Sequence, residues 1–262
     1  MNFRFKEKYN IDDMLEIMKI LRSENGCPWD REQDHHSIRK DFIEEVYEVI
    51  EAIDTEDTEL LKEELGDVLL QVVFHARIEE ENGSFDFSDV VNDICQKLVI
   101  RHPHVFGDVS VSNTDEVLKN WNNIKQETKG QETYTETLES VCSALPALMR
   151  AQKLGQRAKR AGMDFADINS AVEALESEIA ELKKAISENS NIKEELGDVL
   201  FSAVNVSRMC GIDAEEALSG SSDKFISRFR KTEELVRFDG IDMKSLNIDE
   251  LDVYWRKAKE IK

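Results

Sequence analysis

The 262-residue sequence is poor in the residues that most non-helical folds require. It holds three prolines and eleven glycines, well below ordinary usages of about 5% and 7%. A sandwich or barrel would need turn chemistry about every 8–12 residues, and a dinucleotide-binding or P-loop fold would need a glycine-rich strand-to-helix turn. Neither pattern is present. The four cysteines, Cys27, Cys95, Cys142 and Cys210, form no C-x-x-C pair. They suit reduced thiols better than a disulfide framework or a zinc site. The longest apolar stretch, Leu65 to Phe74, is interrupted by Asp67 and Gln71 and falls far short of the roughly 20 residues of a membrane helix. The first residues, MNFRFKEKYNIDD, are too charged for a secretory signal. A soluble cytoplasmic protein with no membrane partner is expected.

Positive charge is also in deficit, with 34 Lys+Arg against 55 Asp+Glu and a formal net charge of −21. Such a surface repels nucleic acid, which is therefore not an expected partner. A small anionic ligand has to be recruited by local basic residues or by bound cations.

What the chain does contain is one pattern written twice. EELGDVL stands at Glu63–Leu69 and again at Glu194–Leu200. Glu45-Val-Tyr-Glu48 matches Glu178-Ile-Ala-Glu181, Lys97 and Arg101 match Lys224 and Arg228, and Trp121-x-x-x-Lys125 matches Trp255-x-x-x-Lys259, in the same order. Apolar residues recur at helical spacing throughout: Ile11, Leu15, Met18 and Leu21; Phe42, Val46, Val49, Ile50 and Ile53; then Leu60 to about Glu81. Ser88 is expected to cap a helix reaching about Arg101, and Thr114 to begin one carrying Trp121. The second half repeats this with helices near 148–160, 168–187, 193–210, 214–237 and 248–259. The expected fold is all-α: two tandem helical-bundle domains at 1–129 and 141–262, joined by a polar, aperiodic linker at 130–140.

Residues three apart share a helix face, so Glu45 with Glu48 and Glu64 with Asp67 form carboxylate pairs on consecutive helices. Glu178, Glu181, Glu195 and Asp198 repeat them. A solvated acidic face is the ordinary explanation of any one such residue. However, the i+4 neighbours of all eight are Val, Ala, Leu, Gln or Ser, so no cation is placed to compensate them. Asp67 and Asp198 also lie in the most apolar stretch of each half, where an unpartnered charge would be costly to bury. Four oxygen donors converging from facing helices suit a hard divalent cation, above all Mg²⁺. Gly66 and Gly197, in mid-helix, are expected to let the helices pack closely.

The like-charged pairs Lys97/Arg101 and Lys224/Arg228 disfavour an isolated helix but suit phosphates gripped opposite a metal. Trp121 and Trp255, ordinarily core residues, with Lys125 and Lys259 one turn on, are placed to border a nucleobase. All five histidines lie in the first half, so chemistry shared by both halves would rest on metal and carboxylate. The only Glu-x-x-His, Glu32 to His35, lies outside the acid-rich helices, against the two such motifs of a di-iron bundle.

The pattern E-x-x-E followed by E-x-x-D resembles the all-α nucleoside triphosphate pyrophosphohydrolases. The full chain resembles their two-domain MazG form through GCPWDREQ (26–33), EEVYE (44–48), the two EELGD segments, RHPHVF (101–106) and LPALMRAQK (145–153). The resemblance implies Mg²⁺-dependent hydrolysis (with Mn²⁺ as a substitute) of ribo- and deoxyribonucleoside triphosphates between the α and β phosphates. It further implies a homodimer and a role in controlling or cleansing nucleotide pools. It assigns metal ligation and catalysis to Glu178, Glu181, Glu195 and Asp198, with metal-ligating equivalents at Glu45, Glu48, Glu64 and Asp67. Substrate contacts fall on Lys224, Arg228, Trp255 and Lys259, mirrored by Lys97, Arg101, Trp121 and Lys125. It favours the second domain as the catalytic one. A pyrophosphohydrolase restricted to one nucleotide, of the dUTP or dCTP type, and a non-catalytic helical dimerisation scaffold stay open as alternatives.

Overall fold

A computed structural model describes residues 3–128 and 130–260. The expected domain limits at 1, 129 and 262 lie outside them. The described residues contain helices and no strand, and the chain divides into two compact units, Met1–Lys125 and Gln126–Lys262.

Unit 1 comprises α1 (Ile11–Leu21), the short α2 (Pro28–Glu32), α3 (Arg39–Asp54), α4 (Thr58–Asn82), α5 (Phe87–Arg101), the short α6 (Pro103–Phe106) and α7 (Thr114–Thr128), whose last residues extend into unit 2. Local chemistry sets the helix ends. Asn10 and Asp13 form a capping box at α1, and Asp57 caps α4, which Gly83 ends in the left-handed conformation (φ 74°). α5 begins at Asp86, not Ser88: the Asp86 side chain accepts from the Asp89 N–H and Asp89 returns the bond. The reciprocal box satisfies two backbone donors, an arrangement not formed at Ser88. The core of unit 1 is Met18, Ile38, Val73, Phe74 and Ile78, where α1 packs across α4.

Unit 2 comprises α8 (Tyr134–Glu139), α9 (Ala147–Arg160), α10 (Ile168–Glu188), α11 (Ile192–Met209), α12 (Ala214–Phe238), a 3₁₀ turn at Met243–Ser245 and α13 (Ile248–Glu260). α8 occupies the stretch expected as a linker. Thr133 and Glu136 close a capping box there, α8 packs on α9, and Arg157 donates to the Thr137 carbonyl oxygen.

The same pairings recur in both units. α3 packs on α4 as α10 packs on α11, α1 on α4 as α9 on α11, and α5 on α4 as α12 on α11. Each α3–α4 type hairpin turns within three residues, using the positive φ of Glu56 in unit 1 and of Asn189 and Asn191 in unit 2. Gly66 and Gly197 do not mediate this packing, because a Cβ on either would meet nothing within 4 Å. Both face open space. The glycine that a close helix approach does require is Gly155, where a Cβ would lie 2.8 Å from both Arg208 Nε and Asn205 Oδ1.

Several helices carry apolar residues that remain open, among them Ile43, Val46, Tyr47, Ile50 and Ile53 on α3. Val91, Ile94, Leu98, Val99 and Ile100 on α5 are exposed, as are Leu218, Phe225, Ile226 and Phe229 on α12. No described helix is long and apolar enough to cross a membrane.

Candidate metal centre

The hairpins bring carboxylates together as their spacing predicts, with one difference in membership. In unit 1, α3 presents Glu45 and Glu48 and α4 presents Glu64, and one oxygen from each lies within 4.8 Å of the others. In unit 2, Glu178 and Glu181 from α10 meet Glu195 from α11 within the same limit. Asp67 and Asp198 stand outside these close groups. Their charges still reach in, Asp67 raising Glu45 and Glu64 and Asp198 raising Glu195. Asp67 is half-buried, whereas Asp198 is exposed despite its apolar surroundings in sequence. The one-turn step from Glu195 leaves it on the solvent side.

The electrostatics are those of acids without a counter-ion. Desolvation first, then the neighbouring Glu48, Asp67 and Glu45, hold the Glu64 carboxyl above the usual range. Glu45 is raised by desolvation, by Asp67 and by Glu48, with the Gln71 amide acting the other way. Glu195 is raised by desolvation and then by Glu181 and Asp198. Among the described residues none of the eight acids forms an ion pair with Lys or Arg. Oxygen-only donors this close, mutually repelling and uncompensated, fit a hard divalent cation.

The basic pairs lie on the next helix in each unit. Lys97 and Arg101 are on α5, which packs on α4. Lys224 and Arg228 are on α12, which packs on α11. The Arg101 guanidinium sits over the Trp121 ring at 5.5 Å, and its Nε is buried without a partner. His102 meets the same ring edge-on at 4.8 Å. In unit 2 the partner of Trp255 is Phe225, at 5.3 Å. Those two residues line a cavity of about 490 Å³ together with the apolar Phe229, Met243, Ile248 and Leu251 and the polar Thr232, Asp249 and Asp252. Lys224 and Lys259 are exposed, Lys97 is exposed, and Arg228 and Lys125 are half-buried.

Sequence reasoning did not anticipate three features. Gln71, four residues after Asp67, is buried beside the unit 1 acids, and its Oε1 has no hydrogen-bond partner. Phe225 joins Trp255 in the unit 2 cavity. His35, His75 and Glu79 form a hydrogen-bonded cluster linking the segment before α3 to α4. The spacing of Gln71 from Glu64 was readable as one helix face. The histidine cluster spans 40 residues and carried no local signal.

The sequence matches known proteins. The model of the MazG nucleotide pyrophosphohydrolase domain matches twice, at residues 33–106 and 167–232, spans that contain both acid clusters. A nucleoside triphosphate pyrophosphohydrolase/pyrophosphatase MazG of Thermotoga maritima is 44% identical over 95% of both chains. A nucleoside triphosphate pyrophosphohydrolase of Escherichia coli is 42% identical over 95% of this chain and 97% of its own. The protein YabN of Bacillus subtilis is 44% identical over 93% of this chain and 50% of its own length. Two copies of the domain, each with its acid cluster on the corresponding helix hairpin, make the chain a member of the MazG nucleotide pyrophosphohydrolase family and an enzyme of that class.

Proposed function

We propose that the protein hydrolyses ribo- and deoxyribonucleoside triphosphates between the α and β phosphates, releasing the monophosphate and pyrophosphate, and that it serves to control or cleanse nucleotide pools. The observation that carries the reading is the meeting of Glu178, Glu181 and Glu195 oxygens within 4.8 Å with no cationic side chain to balance them. In this reading those three acids and Asp198 hold Mg²⁺, for which Mn²⁺ can substitute, and Glu45, Glu48, Glu64 and Asp67 do the same in unit 1. The bound cation supplies charge neutralisation for phosphate oxygens and a water of lowered pKa.

The chain's own residues do the rest. Lys224 and Arg228 hold phosphate oxygens, Lys259 adds charge, and the Phe225–Trp255 cavity receives the base. Its lining is mainly apolar and offers stacking area, with Thr232, Asp249 and Asp252 as the polar groups at its wall, and we read the large stacking share as favouring tolerance of several bases. Lys97, Arg101, Trp121 and Lys125 are the unit 1 counterparts. Unit 2 is taken as the main catalytic unit, and the open apolar face of α5, with Leu218 and Ile226 of α12, as the surfaces for homodimerisation. A monomer in sedimentation velocity at micromolar concentration would remove that last element.

The test is pyrophosphate release from the eight common nucleoside triphosphates by the full chain, its Glu195→Gln variant and its Glu64→Gln/Glu195→Gln variant. Glu195→Gln should lose at least 100-fold in unit 2 turnover, on the order of other lost electrostatic contacts to a transition state. Full activity in the double variant would sink the role given to these acids, and no pyrophosphate release by the unaltered chain would return the scaffold reading.

A further inference from the structure

We propose that Gln71 is a positioning residue of the unit 1 acid cluster. Its amide N–H group holds the Glu45 carboxylate, and its Oε1 accepts a hydrogen bond from a water carried by a cation at Glu45, Glu48 and Glu64. The inference rests on the metal reading of that cluster and goes beyond it by adding a residue outside the carboxylate set.

Three observations support it. Glu64, Asp67 and Gln71 lie at i, i+3 and i+7 on α4, so the glutamine shares the face that presents the acids. Gln71 is only 7% exposed, and its amide lies near enough to Glu45 to draw that carboxyl's pKa downward. Its Oε1 is buried with no partner. The amide cannot be turned round to relieve this, because its oxygen would then face a carboxylate oxygen, acceptor against acceptor. Buried acceptors are almost always paired in folded proteins. An orphan fixed beside an acid cluster therefore marks the place of an absent donor, and a metal-bound water is a strong one. Groups of this kind orient metal ligands and tune affinity without touching the ion.

The device is confined to unit 1. The corresponding position in unit 2 is Ser202, which is also buried but whose side chain ends two bonds sooner.

The test is Mn²⁺ binding to the full chain, followed by the electron paramagnetic resonance of free Mn²⁺ in a Glu178→Gln/Glu195→Gln background that silences the unit 2 cluster. Gln71→Met, of similar volume, and Gln71→Ser, the unit 2 residue, should each weaken Mn²⁺ binding about tenfold. Neither should lower the melting temperature of the metal-free protein by a matching amount, since each removes the orphan acceptor. Unchanged Mn²⁺ affinity in both variants overturns the proposal while leaving the metal reading intact. Affinity and metal-free stability falling together in both variants make Gln71 merely structural and overturn it too. If the background chain with Gln71 in place binds no Mn²⁺ at all, the metal reading of unit 1 fails first, and this proposal with it.

Discussion

The imidazoles of His35 and His75 stack with centroids 5.0 Å apart and Nδ1 atoms 2.7 Å from each other, while His35 Nε2 lies 2.6 Å from Glu79 Oε1. Only one of the two facing nitrogens can carry a proton. Burial, and then the charge of His35, hold the His75 pKa below its ordinary value of 6.5. At His75 the folded state thus binds fewer protons than the unfolded one once the pH drops below that value, so the His75 site contributes stability above pH 6.5 and loses it as the pH falls through the depressed folded pKa. The melting temperature of unit 1 should decline from about pH 7 to 5, and His75→Gln should flatten that slope. An identical slope in the variant would assign the pH dependence elsewhere.

The acid clusters have the opposite sign. Glu45, Glu64 and Glu195 are raised above 4.5, so the metal-free fold binds more protons than the unfolded chain. It therefore loses stability as the pH rises from about 4.5 through the raised values. Mg²⁺ at pH 7.5 should raise the melting temperature by mass action on the folded state, with a smaller increment near pH 5, where protons compete. Glu64→Gln/Glu195→Gln should raise the metal-free melting temperature and abolish the Mg²⁺ increment. Calorimetry with and without Mg²⁺ measures both.

The helices were legible because each carried its own period and cap: α10 and α11 begin and end within one residue of the expected limits. α8 was missed although Thr133-x-x-Glu136 is a capping signature, because six residues hold too few apolar positions to show a period. Asp86 and Ser88 both had cap chemistry, and Asp89 at the third helical position decided between them. The limits of the site reading have the same origin. An i,i+3 spacing puts Glu64 and Asp67 on one face but does not say which oxygen meets Glu45 and Glu48, since that depends on how α3 lies on α4. The glycines show this most plainly: a close approach and an open surface look alike in sequence, and only packing separates Gly155 from Gly66 and Gly197.

Those two open glycines lead to a third prediction. Each sits mid-helix with free space where a Cβ would go, so Gly66→Ala and Gly197→Ala should each stabilise the fold by about 0.5–1 kcal/mol through helix propensity. If the space beside the acids is instead used by the bound nucleotide, the same variants will raise KM while the melting temperature still rises. A fall in melting temperature would contradict the open environment of both positions.

Arg22 provides a fourth prediction, about the GCPWDREQ segment. Its side chain is 6% exposed, and it bridges α1 to α4 through Glu81 (Nη2–Oε2 2.8 Å) while donating to the carbonyl oxygens of Asp30 and Gln33. Gly26 closes the same turn, where a Cβ would come within 2.2 Å of the Ile20 and Leu21 carbonyl oxygens. One guanidinium thus ties the segment carrying α2 to the helix that carries Glu64. Arg22→Met leaves Glu81 partly buried with Arg77 as its remaining ion-pair partner and leaves two carbonyl oxygens without their donor. The cost should be about 3 kcal/mol, the lower end for a broken buried pair, read as a lower midpoint in urea. Because the lost bonds are local to unit 1, amide exchange should quicken across residues 23–38 and remain unchanged in α10 and α11. Uniform acceleration in both units would mean that Arg22 supports the whole chain rather than this turn.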